Sequence, residues 1–344
     1  MALRTIRSNE DSFLSYWDTC FHLSHDQHPL YQPENLSYYR AFSADQTAEN
    51  SIDRSFVVAD HIDVLAAIRM FTVKRDGFPT ELSCFATIPV WFYENAIASI
   101  NRQRKTRAAI KTEISDVIEK GDIARIWYED PLLNQELSFL GKLLLNLGAT
   151  AQPIVRQIID LNRTEAEMFK QIRKSYKSLI NKGRRDLDLS TYDKNNVSDG
   201  IMEQFRKLHV AAAGRETRTK ETWQIQQNMI KAGEAFAIFG KLEGELVTAA
   251  LFPLSKHYCY YGVSASNRLL FDKPLSHAVL WEAILYAQKT GCRFFELGPI
   301  QFPGIGDPVP TLKELSISTF KHGFGGRSEP RLSIIWERDQ RHRP

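Results

Sequence analysis

Ala235-Phe236-Ala237-Ile238-Phe239, then Glu243-Gly244, then Leu246-Val247-Thr248-Ala249-Ala250-Leu251-Phe252-Pro253-Leu254: two apolar runs around a Glu-Gly turn read as a β-hairpin. His257 to Val263 adds a third strand. Upstream, Gly200 to Ala213 and Glu221 to Ala232 have helical composition. Downstream, Ser276 caps a helix that runs to Thr290 and stops at Gly291, and Arg293 to Leu297 is a strand. Lys313 to His322 reads as a helix and Leu332 to Glu337 as a last strand. The second half therefore runs two helices, a three-strand meander, then helix, strand, helix, strand.

The first half repeats this order. Asp11 to His22 is helical, and a polar loop with Pro29 and Pro33 follows. Ser55 to Ala59, Val64 to Val73 and Glu81 to Thr87 are strands. Ala96 to Glu119 is a helix ended by Gly121, and Ala124 to Tyr128 is a strand. Leu132 to Leu147 is an apolar helix stopping at Gly148, and Pro153 to Leu161 is a strand. The repetition is one of elements and not of residues. It resembles the order of elements in GNAT-type acyltransferase domains. The expected fold is α+β, with two GNAT-like domains in tandem over 1–163 and 164–344. Their sheets would be mixed and mostly antiparallel, flanked by helices, with the active site in the second domain.

A chain of 344 residues suits two domains of ordinary size, and 43% hydrophobic with 25% charged residues is a globular composition. A net charge of +3 makes no case for DNA as a partner. Cys20, Cys84, Cys259 and Cys292 are scattered without a paired spacing and read as buried small hydrophobes, which suits a reducing compartment. Met1 to Arg7 has no apolar run of the secretory type, and no stretch has the length of a membrane span. A bacterial, cytoplasmic enzyme is expected.

Thr164-Glu165-Ala166-Glu167 between the halves fits a capping box. Met168, Phe169, Ile172, Tyr176, Leu179 and Ile180 then share a helical face, and Gly183 is the stop. The other face is basic: Lys170, Arg173, Lys174, Lys177 and Lys182, then Arg184 and Arg185. It either follows an anionic ligand or is a solvated face of good helix formers.

Phe320-Lys321-His322-Gly323-Phe324-Gly325-Gly326 is the candidate segment for chemistry. Acyl transfer to an amine needs a partner for the carbonyl oxygen as it becomes an oxyanion, and alignment of two substrates. A lysine between an aromatic residue and a glycine-rich turn supplies the cation, and Gly323, Gly325 and Gly326 permit positive φ and close backbone approach. The same residues also make an ordinary helix C-terminus with a capping glycine.

The segment Ser318-Thr319-Phe320-Lys321, followed by Gly323-Phe324-Gly325-Gly326, resembles the C-terminal Phe-Lys motif of the FemAB-like aminoacyl transferases, relatives of the peptidoglycan-bridge enzymes. The stretch Ile172 to Ile180 is similar to that family's start of its second domain, and Tyr260-Tyr261-Gly262-Val263-Ser264 to its aromatic-Gly strand facing the acceptor pocket. The resemblance implies an N-acyltransferase acting on an amine of a cell-envelope precursor, a nucleotide- or lipid-linked sugar or peptide. It implies Lys321 as the partner of the tetrahedral intermediate, with Phe320, Tyr260 and Tyr261 shaping the pocket. The donor would be acyl-CoA or an aminoacyl-tRNA, with no permanently bound cofactor. An amino-sugar acetyltransferase using acyl-CoA, and a binding protein that kept the fold and lost the chemistry, are the alternatives. The long coiled-coil insertion of some members is missing. The glycine pattern that grips the CoA pyrophosphate is also missing from Asn267 to Pro274.

Other candidates are secondary. Arg215 and Arg218, in Gly214-Arg215-Glu216-Thr217-Arg218, are placed to hold an anionic group, or the loop is simply solvated. Arg173 is a further substrate contact, and surface contact with a membrane is a further partner expectation. His277 starts a helix beside the pocket and is either a base or a packing residue. Glu296 and Asp272 are further acid/base candidates. His22, His25 and His28 lack a metal-binding spacing, and no metal is expected.

Overall fold

The computed structural model describes residues 3–24, 27–45, 48–61, 63–75, 80–83, 89–93, 98–304 and 309–338. In chain order the elements begin β1 (Arg4–Arg7), α1 (Phe13–Leu23), α2 (Pro33–Asp45), β2 (Ala48–Asp53), β3 (Phe56–Ala59), β4 (Val64–Ile68), β5 (Phe71–Arg75), β6 (Glu81–Ser83) and β7 (Val90–Phe92). They continue with α3 (Ile100–Lys120), β8 (Arg125–Asp130), α4 (Phe139–Asn146), β9 (Thr150–Asp160), α5 (Glu165–Gln171), α6 (Lys174–Asp186) and β10 (Asp188–Tyr192). The remainder are α7 (Ile201–Ala213), α8 (Lys220–Lys231), β11 (Ala235–Leu242), β12 (Glu245–Pro253), β13 (Tyr258–Tyr260), β14 (Ser264–Ser266), α9 (Leu275–Lys289), β15 (Phe294–Ile300), α10 (Leu312–His322) and β16 (Arg327–Glu337).

Two compact units result. The first comprises Met1–Asp26, Gln46–Ile154 and Pro330–Pro344, the second Gln27–Asp45 and Val155–Glu329. This division differs from two contiguous halves meeting at 163/164. Residues 27–45 join the second unit because the buried Glu234 carboxylate receives the backbone N–H groups of Glu34 and Asn35 at the start of α2. The C-terminal residues join the first because Leu332 to Glu337 pair with β8.

In the first unit β1, β3, β4 and β7 form an antiparallel sheet, and β2, β5, β6 and β8 make a second run of paired strands. The single strand expected over Val64 to Val73 is two, in different sheets. Met70 breaks it by giving its N–H to Ser55 Oγ (3.1 Å) and its carbonyl to Arg54 N (2.9 Å). The helix expected from Leu132 begins only after Ser138. Leu132, Asn134 and Gln135 sit at positive φ, while Asp130 gathers the N–H groups of Leu132 and Ser138. The polar loop around Pro33 is the helix α2, with Pro33 opening it as its first residue. Cys84 and most of the strand expected over Glu81 to Thr87 lie outside the described residues.

In the second unit Glu243 and Gly244 take φ of +52° and +87°, and the expected hairpin forms as β11 and β12. Phe236 and Ile238 enter one core with Phe252, Trp281, Phe295 and Phe324. Ala237 and Phe239 enter another with Phe205, Trp223 and Leu251. Both faces of the hairpin are buried, which is why its sequence is apolar throughout. The third strand is not continuous. β13 pairs in parallel with β15, Tyr261 to Val263 break away, and β14 pairs with β12. The breaking residues are still held, Tyr261 N by Glu296 O and Gly262 N by Leu251 O.

Two further expectations are corrected. The mid-chain helix is two helices, with Ile172 and Arg173 extended between them and Arg173 N bonded to Gly323 O at 2.9 Å. The Thr164/Glu167 capping box is present. Gly183 does not stop the helix. It lies inside α6 and lets α9 approach, since a Cβ there would come within 2.7 Å of Ala278 Cβ. Ser276 does not cap α9 either, because its hydroxyl bonds Ser266 Oγ (3.0 Å) from within the first turn.

Candidate functional site

α10 ends at His322, and Lys321, half-buried in its last turn, reaches toward β15. Its Nζ donates to the Pro299 carbonyl at 3.0 Å. Burial lowers its pKa to about 8, the nearby Arg156 guanidinium adds to the fall, and Glu296 opposes it. Arg156 of β9 and Glu296 of β15 form an ion pair with side chains 17% and 4% exposed. Tyr258 Oη donates to the second carboxylate oxygen at 2.8 Å. Lys321 thus sits beside a neutralised pair, as an ammonium whose charge is poorly shared with solvent.

Phe320, on the same turn, belongs to an aromatic cluster with Tyr176, His277 and Phe324. His277 meets the Tyr176 ring edge-on at 4.5 Å, and burial lowers its pKa to about 4. It is a neutral ring packed among aromatics. Gly323 has φ −63°, so its role is room and not positive φ. A Cβ there would fall 2.2 Å from the Tyr176 ring. Gly325 and Gly326 do take positive φ. Arg173 places its guanidinium over the Tyr176 ring at 5.5 Å. The basic face of α6 is largely solvated and internally matched, with Lys182 on Asp186 and Arg184 on Glu282.

A cavity of about 170 Å³ opens where β13 and β14 part. Tyr260, Tyr261, Arg218, Gln226, Tyr38 and Tyr39 contribute to its wall. Arg218 is fixed from behind, donating to Tyr38 Oη (2.9 Å) and meeting His209 Nε2 (3.1 Å). Burial, with Arg218 adding, takes His209 down to about 4, so it is neutral and accepts from the arginine. Tyr260 donates to Asn35 Oδ1 at 3.1 Å, so the 3.1 Å contact with Tyr39 Oη has Tyr39 as donor. Tyr260 is also the register partner of Glu296, which connects the cavity wall to the surroundings of Lys321.

The structure therefore gathers Lys321, Phe320, Gly323, Arg173 and His277 around the end of α10, and Tyr260, Tyr261 and Arg218 around the cavity. Arg215 is exposed and does not line it, and Asp272 is exposed as well. Among the described residues no cluster of three or more His, Cys, Asp or Glu could hold a metal. Cys20, Cys259 and Cys292 are buried, and burial pushes each thiol upward. His25 is outside the described residues.

The architecture is a known one. The chain has the fold of FemX. The two agree with a TM-score of 0.68 at 11% identity, over 99% of this chain and 98% of that one. A tandem GNAT protein from the clavulanic acid biosynthesis pathway matches at 0.54 and 13%, covering 98% of each chain. The C-terminal domain of a protein described as a lysylphosphatidylglycerol synthetase from Agrobacterium fabrum matches at 0.55 and 13%, over 88% of this chain and 92% of that one. No protein-family model matches the sequence, and no curated protein does. At such identities the likeness is one of fold: two GNAT-like units in tandem, mostly antiparallel, as the element order predicts.

Arg156, Gln226, Tyr38, Tyr39 and Tyr258 were not singled out by sequence reading. Arg156 carried a usable signal, since an arginine between the apolar pairs Ile154-Val155 and Ile158-Ile159 of one strand needs a partner. The tyrosines of α2 carried none, because that helix reads as a polar loop.

Proposed function

We propose that the chain is an N-acyltransferase that moves an acyl or aminoacyl group onto an amine of a cell-envelope precursor, a nucleotide- or lipid-linked sugar or peptide. The observation that carries this is Lys321, a half-buried cation at the end of α10 beside the Arg156–Glu296 pair, whose Glu296 is the register partner of Tyr260 in the cavity wall. The whole-chain likeness to FemX and to a tandem GNAT protein supports the reaction class. The likeness to a lysylphosphatidylglycerol synthetase domain, by its name concerned with an aminoacylated lipid, supports envelope material as the acceptor.

In this reading the neutral amine attacks the acyl carbon and the new C–N bond forms. The carbonyl oxygen becomes an oxyanion that takes a hydrogen bond from Lys321. An ammonium carries three donors, and one is engaged by Pro299 O. Collapse of the intermediate breaks the acyl bond to the donor's oxygen or sulfur, and the proton that the attacking amine gives up ends on that leaving hydroxyl or thiol. Phe320 helps seat Lys321, and Tyr260, Tyr261 and Arg218 receive the substrate. Arg173 and the exposed Arg215 would meet only distal parts of it.

Donor and acceptor are open between acyl-CoA and aminoacyl-tRNA, and between soluble and lipid-linked amines. No helix among the described residues is long and apolar enough to cross a membrane, so a lipid-linked acceptor would be met at a membrane surface. Stretch 267–274 holds a 3₁₀ turn, Arg268–Leu270, with Leu269 and Phe271 exposed, in place of a glycine-rich phosphate grip. This favours a donor held other than by the usual CoA contacts. Incubating the purified chain with acyl-CoA thioesters and with charged tRNA, against amino-sugar and peptide amines, tests the proposal by mass spectrometry. Transfer from either donor class supports it, and none from both overturns it.

A further inference from the structure

The turn after β14 carries an apolar tip. Leu269 is 90% exposed, more than any other large apolar side chain among the described residues, and Phe271 is 70% exposed. Leu270 between them turns inward and packs with Leu187, Val247 and Leu275. The outward pair is held by a frame of hydrogen bonds. Asn267 N donates to Val247 O at 2.8 Å, the Asn267 side-chain oxygen accepts from Leu269 N at 3.0 Å, and Lys273 N donates to Leu270 O at 2.9 Å. Apolar side chains fixed in water on one turn mark a contact surface.

Cations surround this tip. Leu187 directly follows α6, so the turn lies against the C-terminal end of that helix. A Cβ on Gly183 would stand 3.2 Å from Pro274 O. α6 carries five cations and one acid, Asp186. Lys182 bonds Asp186 at 2.7 Å and holds its carboxyl below the ordinary range, and the charges of Arg185 and Lys273 add to the fall. Arg185, Arg268 and Lys273 are exposed, with no carboxylate in ion-pair contact among the described residues. The flanking acids are Asp272 and, beyond Leu242, Glu243 and Glu245 of the hairpin turn, so cations stay in excess.

These two features together select the partner. A polynucleotide would answer the cations and leave Leu269 in water. A second protein molecule would need roughly 800 Å² of this side, more than two side chains on a projecting turn provide. An anionic bilayer answers both, with headgroup phosphates against the cations and the acyl boundary around the apolar pair.

We propose that the turn 267–273, together with the C-terminal end of α6, docks the second unit on an anionic lipid surface, with Leu269 and Phe271 entering the boundary between headgroups and acyl chains. This goes beyond the transferase reading and does not depend on it. The docked face is also near the Lys321 site, because His277, in the first turn of α9, packs on Phe320 with ring centroids 5.3 Å apart.

The test uses the full chain and sedimentation with vesicles of phosphatidylcholine, alone or with about one-third phosphatidylglycerol. Wild type should bind the anionic vesicles at least about tenfold more tightly than the neutral ones, and salt should weaken that binding. The double variant Leu269→Ser/Phe271→Ser should melt with wild type, since both side chains are exposed, and should bind anionic vesicles about tenfold more weakly or worse. Arg185→Gln/Lys273→Gln should lose most of the preference for anionic vesicles. Phe271→Trp should show a blue shift of emission on anionic vesicles that wild type lacks. No vesicle binding, binding unchanged in either double variant, or an unshifted Phe271→Trp would each overturn the proposal. Retention of tRNA without vesicle binding would overturn it in favour of a polynucleotide. Self-association abolished by Leu269→Ser/Phe271→Ser, again without vesicle binding, would overturn it in favour of a second copy. Vesicle binding by a chain that transfers no acyl group would support the surface and count against the transferase alone.

Discussion

Lys321 Nζ stands 3.0 Å from the carbonyl oxygen of Pro299, and the residue before that proline is Gly298 at φ +91°. A Cβ on Gly298 would come within 3.1 Å of the same nitrogen. The glycine serves twice, allowing the backbone its left-handed turn and leaving room for the ammonium. Gly298→Ala should cost about 1–2 kcal/mol in stability from backbone strain. It should also lower acyl transfer more than tenfold by displacing Lys321. Denaturant melts and steady-state kinetics on the same preparation separate the effects, and full activity in a destabilised variant would show that Lys321 needs no such seat.

Gly323 makes a different claim. Its φ of −63° is open to any residue, and the constraint is the Tyr176 ring, 2.2 Å from where a Cβ would lie. Gly323→Ala should cost about 1–3 kcal/mol by overpacking. Tyr176→Leu should recover part of that cost in the double variant. Additive losses would mean that the two residues do not compete for the space.

Burial raises the Glu234 carboxyl to about 7 from an ordinary 4.5, against the pull of the Glu34 and Asn35 N–H groups. The folded chain therefore holds this proton more tightly than the unfolded chain. Its contribution to stability is present at low pH, declines as pH rises from about 4.5 to about 7, and stays lost above that. Glu234→Gln should match wild type near pH 4 and exceed it by about 1–3 kcal/mol at pH 8. Chemical denaturation at the two pH values reads the difference. A variant less stable at pH 8 would show that the charged carboxylate supports α2.

Arg218 and Arg215 are three positions apart in the same loop and should not behave alike. Arg218 lines the cavity and is held by Tyr38 and His209, whereas Arg215 is exposed. Arg218→Ala should raise KM for the acceptor roughly tenfold or more, the loss expected for a charged hydrogen-bonding group. Arg215→Ala should stay within about twofold. Equal effects would move the anion contact out of the cavity.

How much of this was legible in the sequence follows from what sets each feature. The β11–β12 hairpin was legible because both of its faces are buried and its turn residues accept positive φ. The Phe320–Gly326 segment was legible as a cation framed by glycines, with Gly325 and Gly326 at positive φ as expected, and the role of Gly323 was not, because it answers to a ring from a helix far away in sequence. The break at Ile172–Arg173 was hidden by a continuous helical pattern, since its cause is the Gly323 carbonyl. Helix α2 was hidden by its own polarity. What holds its start is Glu234, some 200 positions later. The cavity needs α2, α8 and the parted strands together, so Gln226 had no local mark at all.

The central claim is that Lys321 acts as a cation on the oxyanion, and the pH profile of acyl transfer by wild type and Lys321→Ala tests it most directly. Wild-type kcat/KM should fall as pH passes about 8, where the ammonium is lost. Lys321→Ala, folded by circular dichroism, should be slower by about 10²–10³ and should lack that descending limb. A variant within a few-fold of wild type, or a wild-type rate that climbs through the same pH as a neutral lysine base would demand, would contradict the account.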